Sequence, residues 1–154
     1  MIHFETDFVI TALKAENSDQ VIDHLAAQLH AAGLVDEHYG KATISREREH
    51  PTGLPTRPFP IAFPHADATG VHESALALAI LKEPVAFRNM ADPDENLDAE
   101  IVIMLANKSP EEQIGTLRSL AELFGQPEKL STLKDLTTPD EIVSWMKTEL
   151  ALER

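Results

Sequence analysis

Ser74-Ala75-Leu76-Ala77-Leu78-Ala79-Ile80-Leu81 alternates small and large apolar side chains with a period of two. Successive side chains of a strand point to opposite faces, so this stretch predicts a strand covered on both sides. Ile101 to Ala106 is another apolar run bounded by polar segments, and Val85 and Phe87 suggest a short strand between the two. Outward from these strands the pattern becomes helical. Asn17 or Ser18 can cap a helix over 19–32, with Val21, Ile22, Leu25, Leu29 and Ala32 on one face and Gly33 as the stop. A weaker helix is expected over 36–48, with Val35, Tyr39 and Ala42 on one side, ending at Pro51 and Gly53. Ser109-Pro110-Glu111-Glu112 and Thr138-Pro139-Asp140-Glu141 both have the form of a capping box with proline at the first helical position. The first opens a helix carrying Ile114, Leu117, Leu120, Ala121 and Phe124 that stops at Gly125; the second opens one carrying Ile142, Trp145, Met146 and Leu150. A short helix over 127–133 lies between them. Buried strands flanked by amphipathic helices predict an α/β layered domain with helices on both faces.

No internal repeat, low-complexity tract or Gly/Ser linker divides the 154 residues, so a single domain spanning 1–154 is expected. Hydrophobic residues make up 43% and charged residues 25%, an ordinary balance for a soluble globular protein. Acidic residues number 26 against 13 basic ones, a net charge of −13. That argues against nucleic-acid or anionic-membrane binding, because both need a basic face. With no cysteine, disulfides, thiolate metal sites and a cysteine nucleophile are excluded. The first residues, Met-Ile-His-Phe-Glu-Thr-Asp, show no basic and apolar leader pattern. The longest apolar run, Ala75 to Leu81, is far below the ~20 residues of a membrane span. A soluble, cytoplasmic protein without membrane insertion is the expectation.

Of the seven histidines, His3, His24, His30, His38 and His72 sit in polar or terminal settings. His65 differs. Five of the ten prolines fall between Pro51 and Pro64, which makes this a shaped, non-helical loop. Within it Ile61 to Phe63 reads as a short strand. Proline pushes the residue before it to extended conformations, so Phe63 ends the strand and His65 is presented at its tip. A packed histidine at a strand end is the plain alternative.

The segment Arg46-Glu47-Arg48-Glu49-His50-Pro51-Thr52-Gly53-Leu54, followed by Ile61-Ala62-Phe63-Pro64-His65-Ala66, resembles the fructose/mannitol-type enzyme IIA of the phosphoenolpyruvate-dependent sugar phosphotransferase system. The resemblance covers nearly the whole chain, including the strand at Ser74–Leu81 and the helix opened by Ser109. Within the family it resembles the galactitol-specific branch, which shares the Arg-Glu-x-Glu-x-Pro-Thr-Gly stretch and the acidic loop after Phe87. The resemblance implies a mixed β-sheet flanked by helices on both faces. It implies that His65 accepts a phosphoryl group on Nε2 from the phosphohistidine of HPr. The group then passes to a cysteine of the matching enzyme IIB, which serves the membrane enzyme IIC. Arg46 matches the arginine beside the phosphohistidine, and Gln113 stands where mannitol-type members carry a second histidine. Ala66 replaces a glycine common in fructose-type members, and Asp67 is a further departure, an anion beside an incoming phosphoryl group.

These residue types suit the chemistry. A neutral imidazole can attack phosphorus if one nitrogen is anchored and the other free. A backbone carbonyl is the expected acceptor for Nδ1–H, with Asp67 the lesser candidate. Arg46 offers a permanently charged planar fork for phosphate, and the Gln113 amide can donate to a phosphoryl oxygen. The competing reading of Arg46 is a solvated helix arginine paired with Glu47 or Glu49. Thr52 and Gly53 are expected to shape the loop, with His50 a lesser candidate for chemistry. No cofactor or metal is expected, because the donor is a phosphohistidine and no phosphate-binding glycine loop is present. The acidic stretch from Asp92 to Glu100 lacks the glycine and terminal glutamate of a calcium loop. A regulatory, nitrogen-type IIA-like protein signalling through the same histidine is the alternative. A metal-dependent hydrolase using His50 and His65 lacks any supporting ligand spacing.

Overall fold

The computed structural model describes residues 2–152. The elements in chain order are β1 (Val9–Leu13), α1 (Ser18–Ala31), α2 (Tyr39–Glu49), β2 (Gly53–Leu54), β3 (Ile61–Ala62), β4 (Ala75–Arg88), β5 (Asn96–Ala106), α3 (Ile114–Phe124), α4 (Pro127–Asp135) and α5 (Pro139–Leu150). The five strands form one sheet in the order β1-β4-β5-β3-β2. It is mixed: β1 runs parallel to β4 and β3 parallel to β5, while β4–β5 and β2–β3 are antiparallel.

The period of two in β4 does what it predicts. Ala75, Ala77 and Ala79 face one core, which also holds Val21, Ile22, Leu25 and Leu29 of α1 and Tyr39 of α2. Leu76, Leu78 and Ile80 face the other, with Leu120 and Leu123 of α3, Leu130 and Leu133 of α4, and Ile142, Met146 and Leu150 of α5. Strand β5 divides likewise, with Val102 and Met104 on the first side and Ile101, Ile103 and Leu105 on the second. Alanines on one face of β4 leave room for the large side chains of α1, and leucines on the other fill the space beneath α3–α5. Burying each Leu or Ile is worth roughly 1.5–3 kcal/mol. Helices therefore cover both faces of the sheet, as the alternation requires.

Several local expectations are corrected. The Val85–Phe87 segment is not a separate strand. Strand β4 runs through Pro84 with a register shift between Ile80 and Val85, and the exposed Lys82–Pro84 segment spans that irregularity. Helix α2 begins at Tyr39 rather than 36, and its buried side chains are Tyr39, Thr43 and Glu47 rather than Ala42. Ser109 makes no side-chain cap. Its carbonyl takes the Glu112 N–H at 3.0 Å, tightening Pro110–Gln113 into a 3₁₀ turn before α3 begins. At Thr138 the capping box is complete, with the Thr138 hydroxyl on the Glu141 N–H and the Glu141 carboxylate on the Thr138 N–H. The expected acidic loop is shorter than read, since Asn96 to Glu100 already belong to β5. Among the described residues, no helix is long and apolar enough to cross a membrane.

Candidate functional site

His65 lies just beyond the C-terminal end of β3, at the side of the sheet where β5 ends and Pro110 begins its turn. Strand β3 is held on one edge by β5, pairing Ile61 with Ile101 and Ala62 with Val102. On the other edge it pairs with β2 through Gly53–Ala62 and Leu54–Ile61. Buried Pro64 then carries the chain to a half-buried His65. Its Nδ1 lies 2.8 Å from the Phe63 carbonyl oxygen. A carbonyl can only accept, so Nδ1 carries the proton and Nε2 is left with a free lone pair. The expected backbone anchor is thus Phe63. Asp67 is engaged elsewhere, its Oδ1 accepting the Thr69 N–H at 3.0 Å. The Phe63 ring also borders the imidazole at 5.3 Å between centroids and meets Phe124 of α3 edge-on at 5.6 Å.

A cavity of about 230 Å³ opens beside the imidazole. Its walls are apolar at Phe63, Ala66, Leu105, Pro110 and Leu117, and polar at His65, Asp67 and Asn107. Gln113 is 5% exposed and borders a separate cavity with Ser74, Lys108 and Ser109. Arg46 sits in the last turn of α2 with an exposed side chain. It pairs with neither Glu47 nor Glu49. Among the described residues the ion pair of this helix is Arg48–Asp19 at 2.7 Å, and Glu47 turns inward. Neither Arg46 nor Gln113 lines the cavity that holds His65.

The residue that the sequence reading passed over is Glu47. In the run Arg-Glu-Arg-Glu it looks like one charge of a solvated face, yet it is 7% exposed. Its carboxylate accepts the Thr52 N–H at 2.8 Å and the Thr52 hydroxyl at 2.7 Å. Burial pushes its carboxyl above the usual carboxylate range, and the Thr52 hydrogen bonds and the Arg88 charge oppose that rise. The Glu-x-x-x-x-Thr spacing ahead of a glycine was the one available signal. Thr52 and Gly53 do shape the loop: Gly53 packs so tightly on β4 that a Cβ would stand 2.5 Å from the Arg88 carbonyl oxygen. His50 is exposed, and its N–H closes α2 on the Arg46 carbonyl at 2.7 Å. Of the large apolar residues flanking His65 in the loop, Leu54 and Phe63 are half-buried, and Phe59 is core. The Lys134 ammonium lies 5.8 Å from the Phe59 ring centroid. Among the described residues, no group of three or more His, Asp or Glu is placed to hold a metal ion.

The family described as "Phosphoenolpyruvate-dependent sugar phosphotransferase system, EIIA 2" matches residues 2–149. The galactitol-specific EIIA component of Escherichia coli (strain K12) is 30% identical over 146 residues, 95% of each chain. In fold, the chain is similar to a PTS IIA (PtxA) of Streptococcus mutans, with a TM-score of 0.78, 22% identity and coverage of 97% and 95%. It is also similar to enzyme IIAMTL of Escherichia coli, solved in complex with phosphorylated enzyme IIBMTL, with a TM-score of 0.77, 22% identity and coverage of 96% and 99%. With that match running nearly end to end over the sheet, the helices and the Ile-Ala-Phe-Pro-His stretch, the chain belongs to the EIIA 2 family of phosphocarrier domains of the phosphoenolpyruvate-dependent sugar phosphotransferase system.

Proposed function

We propose that this chain is the IIA phosphocarrier of a carbohydrate uptake system of the galactitol type, working in the cytoplasm with His65 as the residue that is phosphorylated. The donor is the phosphohistidine of HPr and the acceptor a cysteine of the cognate enzyme IIB, which in turn serves membrane enzyme IIC. The observation that carries the reading is the Phe63 carbonyl on Nδ1 at 2.8 Å, which commits the ring to one tautomer and leaves Nε2 free. In the first transfer the donor's N–P bond breaks as the Nε2–P bond forms, and a PO₃⁻ unit changes partners. His65 keeps its Nδ1 proton throughout. As the ring gains positive charge the hydrogen bond to Phe63 strengthens, because a charged donor binds a carbonyl more tightly than a neutral one. In the second transfer the Nε2–P bond breaks as the S–P bond forms on a cysteine thiolate. Arg46 stabilises charge on the equatorial oxygens, and the Gln113 amide donates to one of them.

Labelled phosphate passed from phosphoenolpyruvate through enzyme I and HPr tests this. The wild-type chain takes up label and the His65→Ala variant does not; label on another histidine in that variant overturns the assignment. Onward transfer from the labelled chain to a purified galactitol enzyme IIB, faster than to a mannitol one, supports the galactitol system. Retention of the label against every enzyme IIB supplied would instead support the regulatory role.

A further inference from the structure

Behind His65 runs a chain of contacts that starts at the buried carboxylate. Taking a carboxylate out of water costs several kcal/mol unless its lone pairs are satisfied. Among the described residues no ion pair reaches Glu47. Its two oxygens are instead committed to one residue, Thr52, through the N–H and the hydroxyl. An ionised carboxylate only accepts, so the hydroxyl proton of Thr52 points at Glu47 and the Oγ1 lone pairs point away from it. Oγ1 there receives the Phe63 N–H at 3.3 Å, and the Thr52 carbonyl shares the same N–H at 3.2 Å. Two oxygens of Thr52, the hydroxyl and the carbonyl, therefore meet at the amide of Phe63, and the carbonyl of Phe63 holds His65 Nδ1 at 2.8 Å. A well-packed apolar side chain at position 47 would fill the space without the desolvation cost, but it would leave the Thr52 hydroxyl free to rotate.

We propose that Glu47 is a positioning residue for His65: acting through Thr52 and Phe63, it holds the imidazole as the Nδ1–H tautomer with Nε2 open to the cavity. This rests on the reading of His65 as the phosphoryl acceptor. Glu47 touches no reacting atom. Its effect is on where the Phe63 carbonyl sits, and the tautomer follows from that placement, since free histidine prefers the proton on Nε2.

Imidazole ¹⁵N NMR of the unphosphorylated protein at about pH 8, where the ring is neutral, reads the tautomer directly. In the wild type His65 carries its proton on Nδ1. Glu47→Gln offers an amide donor to the Thr52 hydroxyl and reverses that hydrogen bond. It is expected to give a mixed tautomer and to slow phosphoryl acceptance by about 10- to 100-fold, the scale for a misplaced reacting group. Thr52→Val, close in shape but without the hydroxyl, gives the same two changes, and Thr52→Ser restores both. If Glu47→Gln does not fold, the Thr52→Val and Thr52→Ser pair carries the test alone. Folded variants with the wild-type tautomer overturn the proposal, whether or not their transfer rate changes. The NMR readout needs no phosphate. A wild type that never accepts phosphate, but whose variants lose the tautomer, therefore overturns the phosphocarrier reading and supports this one.

Discussion

The Tyr39 hydroxyl accepts the backbone N–H of Ala66 at 3.3 Å, one residue past His65. The same hydroxyl donates to the Leu105 carbonyl at 3.2 Å, near the end of β5. Burial pushes the phenol above its ordinary range, so it stays protonated and able to donate. One side chain at the start of α2 thus ties the segment after His65 to the sheet. Tyr39→Phe leaves a buried carbonyl and a backbone N–H without this partner and is expected to cost about 1–3 kcal/mol, measured by urea unfolding. An unchanged midpoint would remove this tie from the account of the site.

Arg46 is exposed and free of ion pairs to its helix neighbours, so Arg46→Ala is expected to leave the unfolding midpoint within about 0.5 kcal/mol of wild type. Phosphoryl acceptance should nonetheless slow by roughly 10²–10³, the scale for one lost transition-state donor. Rate and stability measured on the same preparation separate the two effects, and an equal rate takes Arg46 out of the mechanism.

Gly53→Ala places a methyl 2.5 Å from the Arg88 carbonyl oxygen, a backbone atom that yields only if β4 moves. The Gly53 carbonyl also receives the Met90 N–H at 2.8 Å, so the displacement reaches the turn after β4. Overpacking of this kind costs about 1–3 kcal/mol. A thermal melt equal to wild type would mean that the loop ahead of β3 absorbs the methyl.

The two shifted carboxyl groups act in opposite directions with pH. Burial raises the Glu47 carboxyl, so its contribution to stability is full below the unfolded value and is lost as pH rises through the folded one. Wild type should therefore gain stability relative to Glu47→Gln as pH falls from about 7 to about 4. Glu141 is lowered, first by the Thr138 hydroxyl and then by neighbouring backbone N–H groups. Its contribution is present above the unfolded value and is lost as pH falls through the folded one. Wild type should lose stability relative to Glu141→Gln over the same acid range. Urea midpoints of the three proteins across that range check both signs.

Under the proposed function, the net charge of −13 would favour encounter with a donor whose docking face is basic. Raising salt shortens the screening length from about 10 Å at 0.1 M, so transfer from phospho-HPr should slow by roughly tenfold or more between low and high salt. A salt-independent rate would leave the charge a matter of solubility.

The layers of this protein were legible because their signals are local. The alternation at Ser74–Leu81 assigns Ala75 to Leu81 of β4 to one of two cores with no knowledge of what lies opposite, and both cores are found where it puts them. The Thr138 box needs only residues three apart, and it closes. Pro64 before His65 likewise states, within two residues, that the histidine stands at the end of an extended segment.

Tertiary structure decided the rest. Ser109-Pro-Glu-Glu has the same pattern as Thr138-Pro-Asp-Glu, but its hydroxyl makes no cap, because the backbone at Pro110–Gln113 winds as a 3₁₀ turn. Strand β4 passes through Pro84 because β5 pairs with it on both sides of the irregularity. The anchor of His65 depends on Thr52 meeting Phe63, eleven residues apart, across the β2–β3 pairing. Glu47 stands in the same charged run as Glu49 two residues on, yet one is buried on Thr52 and the other exposed. Burial depends on which side of α2 meets the loop. That is settled by packing between distant segments, and no local pattern of charge encodes it.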